Sequence, residues 1–166
     1  MRDIELQVFI SSKMRKNTLK LERKAAIEAI EQYPGAKPWN WECCGHAAPY
    51  PPMTTCLEAV VNSDILILLL GYELTENTKK EHETAVSLKI PDFIFVKDGN
   101  MKRETRDYLE LQQSRATYMK FKTTSELKTM ITMSLIKDIV RTYRNSRPKI
   151  GTHASYSMDK SREKNA

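Results

Sequence analysis

Apolar positions along the chain switch repeatedly between the two-residue alternation of strands and the three-to-four-residue spacing of helices. Residues 4–10 (IELQVFI) alternate and then turn apolar throughout, which predicts a strand entering a buried sheet. Leu19, Arg23, Ala26, Ile27 and Ile30 fall at helical spacing, with Asn17 and Thr18 as candidate caps and Pro34-Gly35 as the stop. Residues 38–42 (PWNWE) predict a short second strand, and residues 45–52, with three prolines, a loop. Thr54 or Thr55 then caps a short helix that presents Leu57, Val60 and Val61 on one face. Residues 64–71 (DILILLLG) are aliphatic without interruption, the pattern of a central parallel strand covered on both faces. A helix over 78–88, a strand over 92–96 and a polar helix over 103–113 follow. A short strand over 118–121 and a long amphipathic helix over 125–143, carrying Leu127, Ile131, Leu135 and Ile139, complete the series. This β-α alternation predicts an α/β, flavodoxin-like fold of three layers around a five-stranded, mostly parallel sheet. Residues 1–143 form that domain, and residues 144–166, polar and aperiodic, read as a flexible basic tail.

Composition narrows the function classes. Of 166 residues, 40% are hydrophobic and 29% charged, which excludes a wholly disordered or fibrous chain. The longest apolar run, residues 65–71, falls far short of the roughly 20 residues a bilayer requires, so no membrane-spanning helix is expected. Asp3 and Glu5 stand where a signal peptide needs apolar residues, and a cytoplasmic location follows as the expectation. The three cysteines are odd in number and two are adjacent, which argues against a disulfide framework. The formal net charge is +6, but residues 144–166 carry +4 of it. Nucleic acid is therefore expected to bind only weakly, through the tail.

In sheets of this type, ligands bind beyond the carboxyl ends of the strands, near the point where strand order reverses. Those ends deliver Phe9, Ile10, Ser11 and Ser12, then Glu42 to Cys44, Gly71 and Tyr72, and Lys97 and Asp98. The glycine-rich dinucleotide and triphosphate loops are absent, as is a serine nucleophile elbow. Cys43-Cys44-Gly45-His46 lacks the second ligand pair of a zinc site. Glu81, His82 and Glu83 are neighbours on a helix and point about 100° apart, so they cannot share one ion, and no metal is expected. His82 is expected on the helix flank, and His153 in the tail. Ser11 and Ser12 suit either a phosphate or ribose contact or a plain capping turn. Asp64 reads as a turn residue before its strand. Trp39, Trp41 and Tyr50 suit either base stacking or packing.

Val8 to Ser12 (VFISS), followed by a helix with Glu22 to Ile27 (ERKAAI), resembles a bacterial family of unknown function whose members open on such a strand. The match continues in order through Cys56-Leu57-Glu58, Asn62 to Ile65, Leu70-Gly71, Glu81 to Ala85, Lys89-Ile90-Pro91 and Phe95 to Asp98, over about residues 4–130. That family looks like a relative of TIR domains and nucleoside 2-deoxyribosyltransferases, which cleave or transfer at an N-glycosidic bond. The resemblance implies that Glu81, four residues before Ala85, matches the catalytic glutamate, with Glu83 as runner-up. It also implies that Ser11 and Ser12 hold ribose or phosphate and that Phe9 or Tyr72 flanks the base. Ile90 stands where the family's turn has glycine. On this reading no cofactor is required, and NAD, a nucleoside or a nucleoside monophosphate is the substrate. The alternative is a nucleotide-sensing or protein-interaction module without catalysis. Self-association or a partner protein, and a role in signalling or defence, are implied by the resemblance alone.

Overall fold

The computed structural model describes residues 4–147. Strands β1 (Leu6–Ser12), β2 (Ala36–Trp39), β3 (Ile65–Leu70), β4 (Asp92–Lys97) and β5 (Tyr118–Phe121) pair in the order β2-β1-β3-β4-β5. Every pairing is parallel. Helices α1 (Lys20–Glu31), α2 (Trp41–Cys44), α3 (Pro52–Val61), α4 (Glu76–Ser87), α5 (Arg103–Gln112) and α6 (Thr124–Ser146) connect and cover the strands. This strand order defines the flavodoxin-like fold, whose order reverses between β1 and β3.

The core lies in two halves, one on each face of the sheet. Ile65, Ile67 and Leu69 face α1 and α6, packing with Ala26, Ile30, Leu127 and Ile131. Leu66, Leu68 and Leu70 face the opposite way, toward Val60 of α3, Ala85 of α4 and Leu109 of α5. The two-residue period of a strand divides β3 between the halves, which is why it reads as one apolar run. All six side chains are buried, each worth about 1.5–3 kcal/mol.

Several boundaries depart from the sequence expectations, each for a local reason. The strand expected over 38–42 is Ala36–Trp39, and residues 41–44 form a one-turn helix instead. Asn40 is extended and its side chain accepts from Cys43 N–H at 2.9 Å, so it ends the strand and caps α2. Pro38 is tolerated because β2 is an edge strand. Thr18 does not cap α1; its hydroxyl donates back to Arg15 O at 2.7 Å, and α1 starts after Leu19, which has φ 56°. Helix α3 begins at Pro52 with no side-chain cap, and Val61 is exposed. Helix α4 begins at Glu76, capped by Thr75. Helix α6 runs to Ser146, past the expected end at 143, while Ile139 is exposed on its outer face. Residues 148–166, including His153, lie outside the described residues.

Thr123 and Glu126 form a reciprocal capping box at the start of α6. Thr123→Ala should lower stability by about 1 kcal/mol, read as a lower urea midpoint at unchanged slope.

Candidate functional site

A cleft of about 440 Å³ opens where strand order reverses. Phe9, Ile10 and Ser12 of β1 form one side, and Met14 and Arg15 follow from the next loop. Trp39 ends β2 and Trp41 begins α2, giving an aromatic wall; Phe9 and Trp39 stack with ring centres 4.8 Å apart. Pro52, Met53 and Cys56 enter from the first turns of α3, and Thr75 to Thr78 with Glu81 from the amino-terminal half of α4.

Glu81 is the chemically distinctive group. It is 9% exposed, lines the cleft, and accepts a hydrogen bond from the Ser11 hydroxyl. Burial pushes its carboxyl up to about 7, partly offset by donors from Ser11 and Cys56. Burial, reinforced by the Glu81 charge, pushes the Cys56 thiol up to about 12. At neutral pH Cys56 is therefore a hydrogen-bond donor and not a nucleophile. Glu81 is thus a carboxyl divided between acid and base near neutrality, the poise a catalytic carboxylate needs.

The same burial makes Glu81 a stability liability. Its folded value, about 7, lies above the ordinary 4.5, so folding favours the protonated form. That stabilisation is complete below the ordinary value and is lost as pH rises toward 7. Glu81→Gln, which keeps the shape and an acceptor for Ser11, should therefore exceed wild type in stability by up to about 3 kcal/mol near pH 8 and match it near pH 4. Denaturant unfolding at the two pH values measures this.

Helix α4 aims Glu81 through a second anchor. His82 does not lie on the helix flank; it is fully buried. Its Nδ1 lies 2.7 Å from the Tyr108 hydroxyl and its Nε2 2.8 Å from Asp92 Oδ2. Arg115 donates to both Asp92 oxygens at 2.6 and 2.8 Å. Burial pushes the Asp92 carboxyl up, but bonds from His82 and Arg115 outweigh it and hold it at about 2. Asp92 starts β4, so this network grips α4 at the amino edge of the sheet while Glu81 reaches Ser11 near the carboxyl edge.

Among the other nominated residues, Phe9 and Ser12 line the cleft, and Glu83, Glu42, Gly71 and Tyr72 do not. Ser12 lines the cleft, and its Oγ accepts from Arg23 Nη1 at 3.3 Å. Glu83 is exposed, lies 3.9 Å from Lys79, and does not line the cleft. Glu42 is turned toward α1, where Arg23 Nη2 donates to it at 2.6 Å. Gly71 is buried against Leu19; a Cβ there would sit 3.4 Å from Leu19 Cδ2. Tyr72 is 56% exposed, with the Lys102 ammonium 5.9 Å from its ring centre. The adjacent Glu73 pairs with Lys102 and Lys13, which hold its carboxyl down at about 2. Tyr50 is outside the cleft lining. Asp64 accepts from Gln7 N–H at 2.8 Å, a turn contact at the amino edge.

Sequence reasoning passed over Arg15, Met53 and Thr75 to Thr78 as cleft residues. One signal was present. The inward positions of α4 are Thr78, Glu81, His82 and Ala85, at helical spacing. A buried helix face carrying Thr, Glu and His where apolar residues would pack is a mark of function. Among the described residues, no group of three or more His, Cys, Asp and Glu side chains gathers to hold a metal ion, and no helix is long and apolar enough to cross a membrane.

The fold and cleft define a flavodoxin-like α/β domain with a buried carboxyl at its topological switch point. The chain belongs to the family described as Domain of unknown function (DUF4062), whose model matches residues 7–147. No curated protein matches it. Among solved structures, a conserved protein from Enterococcus faecalis V583 is similar at TM-score 0.54 and 12% identity, over 78% of this chain and 99% of that one. The Flv1 flavodiiron core from Synechocystis sp. PCC6803 is similar at TM-score 0.49 and 14% identity, over 82% of this chain and 37% of that one. A flavodoxin-like domain from Synechococcus sp. is similar at TM-score 0.44 and 12% identity, over 80% of this chain and 99% of that one. At 12% identity the Enterococcus likeness speaks for shared architecture alone.

Proposed function

We propose that the cleft binds a nucleoside or nucleotide and that Glu81 acts at its N-glycosidic bond, by hydrolysis or by transfer to another base. The observation that carries this reading is Glu81 itself, a buried carboxyl poised at about 7 in an aromatic-walled cleft. Trp39 and Trp41 offer flat faces for a base. Ser12, Arg15 and the first turn of α4 surround the place for sugar and phosphate. As the bond from C1′ to the base nitrogen breaks, its electron pair leaves with the base and positive charge develops on the ribose. The ionised carboxylate faces that charge, and water or an acceptor base takes C1′. NAD, nucleosides and nucleoside monophosphates are substrates on this reading, and no cofactor is needed. The resemblance to TIR domains and deoxyribosyltransferases supports the same chemistry.

A second reading, nucleotide sensing without turnover, is favoured by one observation. Glu81 is already engaged by Ser11 and Cys56, which restrains it as a nucleophile. The chain has two tryptophans, and both line the cleft, so intrinsic emission reports on its occupancy. Titration with NAD, nucleosides and nucleoside monophosphates should change that emission saturably. Free base appearing in the same samples supports catalysis, binding without base supports sensing, and no binding contradicts both.

A further inference from the structure

We infer that Cys43 and Cys44 form a paired-thiol site at the cleft wall, closed by peroxide into a vicinal disulfide that displaces Trp41. Its effect on ligand binding rests on the nucleotide reading above; the thiol chemistry does not.

The two sulfurs are already neighbours, 3.0 Å apart on the single turn of α2. Cys43 is exposed and Cys44 half-buried. Burial and the hydrogen bond with Cys43 push the Cys44 thiol up, which leaves the first step to the exposed partner. Cys43, as thiolate, attacks one peroxide oxygen; the O–O bond breaks, and the departing hydroxide takes a proton and leaves as water. Cys44 sulfur then attacks the sulfenic sulfur, the S–S bond forms, and the hydroxyl leaves as a second water. Two thiols and one hydrogen peroxide give one disulfide and two waters; each sulfur is oxidised by one electron and peroxide is reduced by two.

Closure cannot leave α2 as it is. Adjacent α-carbons lie about 3.8 Å apart, below the roughly 4.4–6.8 Å that disulfides ordinarily span. The linking peptide must distort, and three bonds depend on it. Cys43 N–H donates to the Asn40 side chain at 2.9 Å, Cys44 N–H to Asn40 O at 3.0 Å, and Gly45 N–H to Trp41 O at 2.9 Å. Gly45 transmits the change directly. A Cβ there would lie 2.6 Å from Trp41 O and 2.9 Å from the indole, so its backbone already touches Trp41. Trp41 lines the cleft, and the intervening Glu42 holds Arg23, which reaches Ser12. A strained, accessible disulfide is also easily reduced, which makes the change reversible.

The test treats the intact protein with hydrogen peroxide and reads peptide masses and tryptophan emission together. The peptide holding Cys43 and Cys44 should lose two hydrogens and gain no oxygen, and Cys56 should remain alkylatable after denaturation. Emission should change in step and return with dithiothreitol, and Cys43→Ser should show neither effect. Affinity for a nucleotide that binds the reduced protein should fall about tenfold, the loss of one stacking wall. A stable sulfinic acid at Cys43, a disulfide to Cys56 or between chains, or ring closure with unchanged emission would overturn the inference. If no nucleotide binds the reduced protein, the functional reading fails while mass and emission still decide the thiol pair.

Discussion

Glu81→Gln should cut base release by about a thousandfold, with nucleotide binding retained within a fewfold. The amide preserves shape and still accepts from Ser11, but it carries no charge to set against an oxocarbenium ion. Because the ionised form is the active one, wild-type kcat/KM should rise with pH along a limb whose midpoint lies near 7, the value burial imposes on Glu81. The variant should show no such limb. Its greater stability above neutral pH separates lost chemistry from lost folding, since a damaged fold would fall in both measurements.

The second large effect is expected at Arg23. Its side chain is 1% exposed and its two terminal nitrogens meet four acceptors. Nη1 donates to Thr18 O at 2.6 Å, Lys13 O at 2.9 Å and Ser12 Oγ at 3.3 Å; Nη2 donates to Glu42. These bonds hold the loop between β1 and α1, where Lys16 and Leu19 both adopt positive φ, 55° and 56°. Arg23→Met keeps the apolar stem but strands those acceptors. It should cost about 3 kcal/mol and lower Tm by about 10 °C. Arg23→Lys should rescue little of this, because an ammonium cannot reproduce the guanidinium fork. Loss confined to a few tenths of a kcal/mol would show that the loop is held by other contacts.

Hydrophobic patterning made the architecture legible, because β3 and the inner faces of α1 and α6 bury the residues their periodicity selects, except Ile139. It failed at residues 38–42, where aromatic residues suggested a strand and a single side-chain cap at Asn40 turned the chain into a helix. The cleft was only half legible. Strand-end logic reached Phe9 and Ser12, which do line it, but also Glu42, Gly71 and Tyr72, which do not. Contacts formed only in the folded chain decide it: Glu42 turns to Arg23, Gly71 packs on Leu19, and Tyr72 stays exposed beside Lys102. Fold position brings Glu81 to the binding edge with His82 and Glu83, and only the resemblance singles it out, since Lys79 and Lys80 beside it suggest a solvated helix. The burial of His82 was hidden for another reason. Its partners Asp92, Tyr108 and Arg115 come from three later segments and meet it only in the folded sheet.

The most direct test of the central claim incubates wild type and Glu81→Gln side by side with NAD, NADP, nucleosides and nucleoside monophosphates. Free base is followed by mass spectrometry. The account predicts base from at least one substrate with wild type and none above background with the variant. Equal release by both proteins, or none from wild type even at high concentration under conditions that promote self-association, would contradict it.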